Sequence, residues 1–225
     1  MLASLLFYLT FVGFLHIPLS QGQLPVNGTQ LASHTFSMEK RYADKWVNSV
    51  FKHNILLTMA YMGNRVSSPD MVEEVEQPAA YRLVLQPGET FAFHDAVLPT
   101  YAPSVTTTTN AHFNGTEGFK SDGYLMGDGV CHFASLLYWS AKDAGLDAYA
   151  PVNHDFAFIP EVPKEYGVSI YNTPADSYTS AVQNLYIRNN KATPVVFTFV
   201  YNGKTLSITV YETDKDTVFM EPTVI

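Results

Sequence analysis

Apolar and polar positions follow three rhythms along this chain, and each predicts a different kind of element. From Leu2 to Leu19 almost every position is apolar, with the core from Leu5 to Leu15, and polarity then rises through Ser20-Gln21-Gly22-Gln23. That is the length and flank of a signal-peptide core, or of an N-terminal membrane anchor, over residues 1–22. Residues 23–36 are polar, lack periodicity and contain Pro25 and Gly28, which predicts a linker. Apolar positions at spacings of three and four then predict two helices. One runs from a Ser37 cap to about Met62, with Trp46, Val47, Val50 and Phe51 on one stripe, and ends at Gly63-Asn64. The other starts at Cys131, places Phe133, Leu136, Leu137, Ala141 and Ala144 on one face, and stops at Gly145.

The third rhythm is alternation. Val195–Tyr201 and Lys204–Tyr211 alternate on either side of Asn202-Gly203, a strong signal for a two-residue hairpin turn. Such a turn would pair Tyr201 with Lys204, Phe199 with Leu206, Phe197 with Ile208 and Val195 with Val210, burying one apolar face. The other face, with Thr198 opposite Ser207 and Val196 opposite Thr209, should be wetter. Shorter strands are predicted at Tyr81–Leu85 and Phe91–Phe93, joined by a type II turn at Gln86-Pro87-Gly88-Glu89. Further strand character lies in Tyr149–Ile159, Val168–Tyr171 and Leu185–Ile187, with an extended Pro160–Tyr166 stretch between them. Two loops interrupt this pattern: the acidic Ser67–Pro78, read as solvated, and Thr100–Asp122, long enough to be a lid or binding loop over the cysteine segment that comes next. The sum is an α+β domain over residues 37–225, with helices packed on a largely antiparallel sheet and a C-terminal β-hairpin.

Charge and cysteine content narrow the partners. A formal charge of −8 without a Lys/Arg cluster argues against nucleic acid or an anionic membrane surface, leaving the N-terminal segment as the route to a membrane. Aromatics make up 14% of the chain, which fits a β-rich domain with a sugar-facing surface as well as ordinary core packing. With one cysteine, Cys131, no internal disulfide can form. A lone thiol outside the cytoplasm is expected to be buried, paired between chains, or used.

Cys131 sits in Gly127-Asp128-Gly129-Val130-Cys131-His132, at the start of the second helix. There the free N–H groups and the helix dipole favour an anion, so the thiol pKa should fall. Gly127, Asp128 and Gly129 could turn their N–H groups into a cradle for an oxyanion. His154 comes one helix and one turn later and is the candidate base, with His132 as a second base or an oxyanion donor. His94-Asp95, His112, Cys131-His132 and His154-Asp155 offer zinc-ligand chemistry, but none has a Cys-x-x-Cys or His-Glu-x-x-His spacing. Neither a metal nor another cofactor is therefore expected.

Several stretches together carry a resemblance: Asn54-Ile55-Leu56-Leu57, Leu85-Gln86-Pro87-Gly88-Glu89-Thr90-Phe91-Ala92-Phe93, Gly127-Asp128-Gly129-Val130-Cys131, Ala144-Gly145-Leu146, Asn153-His154 and Asn184-Leu185-Tyr186-Ile187-Arg188-Asn189. In this order, over Lys52 to Glu212, the chain resembles the VanW family, named for an accessory protein of B-type vancomycin-resistance clusters. It departs from the family in having His132 where glutamine is usual after the cysteine, and Phe133-Ala134-Ser135 where the family continues Ser-Thr-Thr. Ser169 also stands near the place of a frequent aspartate. The resemblance implies an extracytoplasmic, cell-envelope location and importance for Cys131 and His154, but no reaction. With a cell-wall peptide or glycan as partner, two functions are expected. One is acyl transfer or amide hydrolysis by Cys131 and His154, and the other is a non-catalytic peptidoglycan-binding module with a buried structural cysteine.

Overall fold

The computed structural model describes residues 26–66 and 75–213, so the N-terminal apolar stretch and most of the acidic Ser67–Pro78 loop lie outside the described residues. In chain order the elements are β1 (Gly28–Ser37), α1 (Lys45–Met62), β2 (Ala79–Leu85), β3 (Thr90–Ala92), β4 (Val105–Thr107), α2 (Val130–Asp143), β5 (Asp147–Tyr149), α3 (Ser177–Val182), β6 (Tyr186–Arg188), β7 (Val195–Tyr201) and β8 (Thr205–Thr213). An antiparallel sheet runs β1-β8-β7-β2, and a second sheet runs β4-β3-β6-β5 with only β3 and β4 parallel. The architecture is thus α+β, with Cys131 in the first turn of the central helix α2.

Residues read as a linker contain an edge strand, β1. Its outward face is polar, with the hydroxyls of Ser33 and Thr209 2.9 Å apart and those of Thr35 and Ser207 2.7 Å apart. Its inward face carries Ala32, His34 and Phe36, and this small, half-polar set gives no hydrophobic alternation to read. His34 belongs inside because its ring stacks on Trp139 at 3.6 Å and bonds Asp143 at 2.7 Å. The first helix also begins later than expected, because Asp44 Oδ1 accepts from the N–H groups of Trp46 and Val47 and caps it. Ser37 instead ends β1.

The hairpin forms, but its register differs by two residues. Tyr201 faces Leu206, Phe199 faces Ile208 and Phe197 faces Val210. Only Gly203 takes positive φ, +97°, whereas a type I′ turn needs it at both central positions. Asn202 uses its side chain instead, with Oδ1 accepting from Lys204 N and Thr205 N at 3.0 and 2.8 Å, which lengthens the loop. An even shift leaves every side chain on its predicted face. Phe197, Phe199, Leu206, Ile208 and Val210 are therefore all buried, with Phe133 of α2 edge-on to Phe199 at 5.8 Å. The opposite face of β7 is not wet: Val196 and Thr198 are buried as well.

Three buried asparagines staple loops to this frame. In α1, Asn54 donates from Nδ2 to the carbonyls of Lys120 and Asp128 and accepts from Lys120 N, each at 2.9 Å. Asn184 donates to the carbonyls of His94 and Ala96, and Asn189 to those of Leu85 and Thr193. Burying an amide is favourable only when its donors and acceptor find partners, and all of these backbone partners except Thr193 belong to segments distant in sequence. The Asn54 bonds fix the turn that delivers Cys131.

Candidate functional site

The glycine turn before α2 is shaped by a close approach. Gly127 and Gly129 have φ of +85° and +95°, and a β-carbon at 129 would lie 2.8 Å from the Cα and carbonyl oxygen of Phe51 in α1. Only glycine lets the two helices meet there. Three N–H groups of this segment are committed: Gly127 N donates to Lys120 O, Val130 N to Gly127 O and His132 N to Gly129 O, at 3.0–3.1 Å. Those three amides are not aimed at a ligand. Asp128 faces inward too, its Oδ2 accepting from Asp122 N at 2.9 Å, and burial pushes its carboxyl up to about 6.

Cys131 is half-buried, and its sulfur turns inward onto the Val168–Tyr171 segment. Sγ accepts from Ile170 N at 3.4 Å and donates to Ile170 O at 3.7 Å. One turn further along α2, Ser135 Oγ accepts from Val168 N at 2.9 Å while donating to Cys131 O at 2.7 Å. The alternate amides go elsewhere, Ser169 N to Val152 O and Tyr171 N to Gln183 O. The strand predicted at Val168–Tyr171 therefore does not form, and the segment joins neither sheet. Side chains at i and i+4 of α2 replace the missing strand on one side. The thiol pKa moves opposite to the expectation from the helix start. Burial pushes it up to about 11, and the Asp128 carboxylate adds to the rise against the Ile170 bond.

His154 and His132 come together beside this sulfur-bearing turn. Their rings meet edge to face with centroids 6.2 Å apart. His132, expected as a second base or an oxyanion donor, is 5% exposed and also packs edge-on against Phe51 at 5.0 Å. Burial first, and then the charge of Arg41 and the proximity of His154, push its imidazole down to about 3. Its buried Nδ1 has no hydrogen-bond partner among the described residues.

His154 lies in a loop, because β5 ends at Tyr149 and the Tyr149–Ile159 strand does not form. Its Nδ1 is 3.2 Å from the carbonyl oxygen of Ala157, which can only accept, so Nδ1 carries the proton and Nε2 keeps the lone pair. Burial lowers its pKa as well, so both imidazoles are neutral at pH 7.

The loop that carries His154 encloses a cavity of about 240 Å3, lined by His154, Phe156, Phe158, Ile159, Val162 and Lys164 among others. Phe156 and Phe158 are 70% and 81% exposed, and the Phe156 ring lies 4.0 Å from that of His154. An ion pair anchors the loop: Arg41, 1% exposed, meets Glu161 Oε2 at 2.6 Å, and the same oxygen accepts from Ser37 N at 2.8 Å. Arg41 also donates to the carbonyls of Ser37 and Pro160 and lies 3.9 Å over the Phe36 ring. Glu161 takes φ of +65°, so Pro160–Tyr166 is not uniformly extended. None of Arg41, Glu161, Phe156 and Phe158 stands out in the sequence as a site residue. Two phenylalanines in a polar, proline-flanked loop are the one available signal.

The remaining histidines of the zinc reading are dispersed. His94 is fully buried, its Nε2 3.1 Å from Gln183 O and its Nδ1 3.4 Å from Asn184 Nδ2. His112 is exposed between Glu117 and Asp95, which raise its pKa, the Glu117 hydrogen bond most. Among the described residues no group of three or more His, Cys, Asp or Glu side chains could hold a metal ion, and no helix is long and apolar enough to cross a membrane.

Two sheets, a central helix entered through a glycine turn and loops stapled by buried asparagines define a single-cysteine α+β domain. The chain belongs to the VanW family: the family model described as VanW like protein matches residues 75–211. No curated protein and no solved structure matches the chain. The matched stretch contains the cysteine turn, His154 and the cavity loop, and it leaves out β1 and α1 with the segment between them, which supply Arg41, Phe51 and Asn54.

Proposed function

We propose that this VanW-family domain is a non-catalytic binding module of the cell envelope, holding a peptidoglycan-type ligand at the His154 loop while Cys131 serves as a structural thiol. The observation that carries this reading is the sulfur's engagement with both backbone groups of Ile170, together with a pKa pushed up to about 11. A nucleophilic cysteine needs its thiolate near neutral pH and a base within hydrogen-bond reach. Here both hydrogen bonds of the sulfur go to backbone.

The N-terminal apolar stretch supports an extracytoplasmic location, and the direction of β1 supports a ligand away from any membrane anchor. The strand enters at Gly28 and ends at Ser37, which bonds to the cavity loop through Glu161. Ten residues of strand span roughly 30 Å. The cavity therefore lies at the far pole from the point where the N-terminal segment joins. Co-sedimentation of the full chain with purified cell-wall sacculi tests the reading. Wild type and Cys131→Ser should both pellet with the sacculi, and Phe156→Ala/Phe158→Ala should stay in solution. Cleavage or ligation of sacculus peptides by wild type and not by Cys131→Ser would overturn it in favour of Cys131–His154 acyl transfer.

A further inference from the structure

The chemistry of the cavity narrows the ligand, on the reading that the His154 loop is the binding site. Three features of the lining act together. First, the walls are apolar: Ile159, Val162 and Pro163 line a volume of about 240 Å3, below the range usual for drug-sized ligands. Such a space has room for one compact unit, a single sugar residue or a single amino-acid residue. Second, the polar side chains at this wall are the exposed Asp155 and Lys164 and the buried His154, whose ring is an acceptor. With its proton held by the Ala157 carbonyl, His154 presents only a lone pair at Nε2, on a side chain that is 7% exposed. A neutral imidazole in this state wants an N–H or O–H donor, and desolvation keeps it from charging to accommodate an anion. Third, Phe156 and Phe158 stand 70% and 81% exposed at the same loop, offering flat apolar faces where the cavity opens to solvent. Large exposed aromatic faces beside a concave site mark a binding surface.

We propose that the site binds an N-acetylated amino sugar within a glycan strand. The acetamido arm enters the cavity with its methyl against Ile159 and Val162, the acetamido N–H donates to His154 Nε2, and the C–H face of the pyranose ring packs on Phe156 and Phe158. The acetamido group supplies the methyl and the adjacent N–H together. The ring supplies a flat, mostly C–H face, and the sugar is uncharged, matching a lining in which the His154 imidazole is neutral and the exposed Asp155 and Lys164 carry opposite charges. An alanyl peptide also offers a methyl beside an N–H. It has no ring face for two exposed phenylalanines.

The test is 1H–15N NMR titration of the full chain with three probes: an N-acetylglucosamine trimer, cellotriose, and an alanine-containing stem peptide. Saturable shifts at Phe156, Phe158 and Lys164 with the N-acetylglucosamine trimer, at least tenfold weaker with cellotriose, are expected. Phe158→Ala, an exposed position whose loss leaves folding intact, should weaken the trimer by several-fold with unchanged shifts elsewhere in the spectrum. Equal binding of cellotriose, or saturable binding of the peptide alone, would overturn the proposal. If sacculi bind and the trimer does not, the sugar assignment fails while the envelope-binding reading stands; if neither binds, both fail.

Discussion

The glycine–cysteine turn and the loop from His154 to Gly167 lie side by side, and they differ in how completely their polar groups are paired. In the turn the described contacts close on one another: Gly127, Val130 and His132 donate to nearby carbonyls, Asp128 accepts from Asp122, and Cys131 and Ser135 hold Val168 and Ile170. The loop, though anchored by Arg41 and Glu161, leaves His154 Nε2 as a lone pair, two phenylalanines in solvent and a cavity between. His132, where the two meet, has an Nδ1 unpartnered among the described residues. The single cysteine draws attention in the sequence, and in the structure both hydrogen bonds of its sulfur go to the Ile170 backbone.

The largest effect expected from breaking the closed region is at Gly129. Gly129→Ala places a β-carbon against the Phe51 backbone at a φ that L-residues resist, and should cost roughly 3 kcal/mol or more in urea unfolding. Gly88→Ala is the control, with positive φ but nothing within 4 Å, and should cost only about 1 kcal/mol. If the two cost the same, close helix approach does not explain Gly129.

A smaller effect is expected at the sulfur. Cys131→Ala leaves the Ile170 amide without its partner and should cost about 1–3 kcal/mol, whereas Cys131→Ser, which restores a donor and acceptor, should stay within about 1 kcal/mol of wild type. Equal stabilities for Ala and Ser would show that the Sγ–Ile170 bonds contribute nothing.

Much of this frame is legible in the sequence because it is written locally. The Gln86–Glu89 turn forms with Gly88 at φ +82°, α2 starts at the cysteine turn, and the hairpin strands bury the predicted face. The features that sequence does not reveal depend on partners far away. β1 is recognisable only through hydroxyl pairs with β8, and Arg41 meets Glu161 120 positions later, leaving no local trace. The pairing register departs from expectation because Asn202 bonds its own loop rather than taking the left-handed conformation. The thiol's pKa runs against the helix-start expectation because burial, which no local pattern encodes, outweighs the dipole here. Asn54, Asn184 and Asn189, which carry the family resemblance together with the cysteine turn, prove to be loop staples.

The central claim, that Cys131 is held and not poised, is tested most directly by its ionisation. In the folded chain the thiol should titrate near pH 11, against about 9 when unfolded, as read by thiolate absorbance and by the pH dependence of alkylation. Because the fold favours the protonated form, the unfolded chain loses its proton first as pH rises. Stability should therefore be unaffected below pH 9 and fall between pH 9 and 11 by about 2–3 kcal/mol, and Cys131→Ser should remove that alkaline limb. Rapid native alkylation with an inflection at or below pH 7 would contradict the account and return Cys131 to the role of a nucleophile.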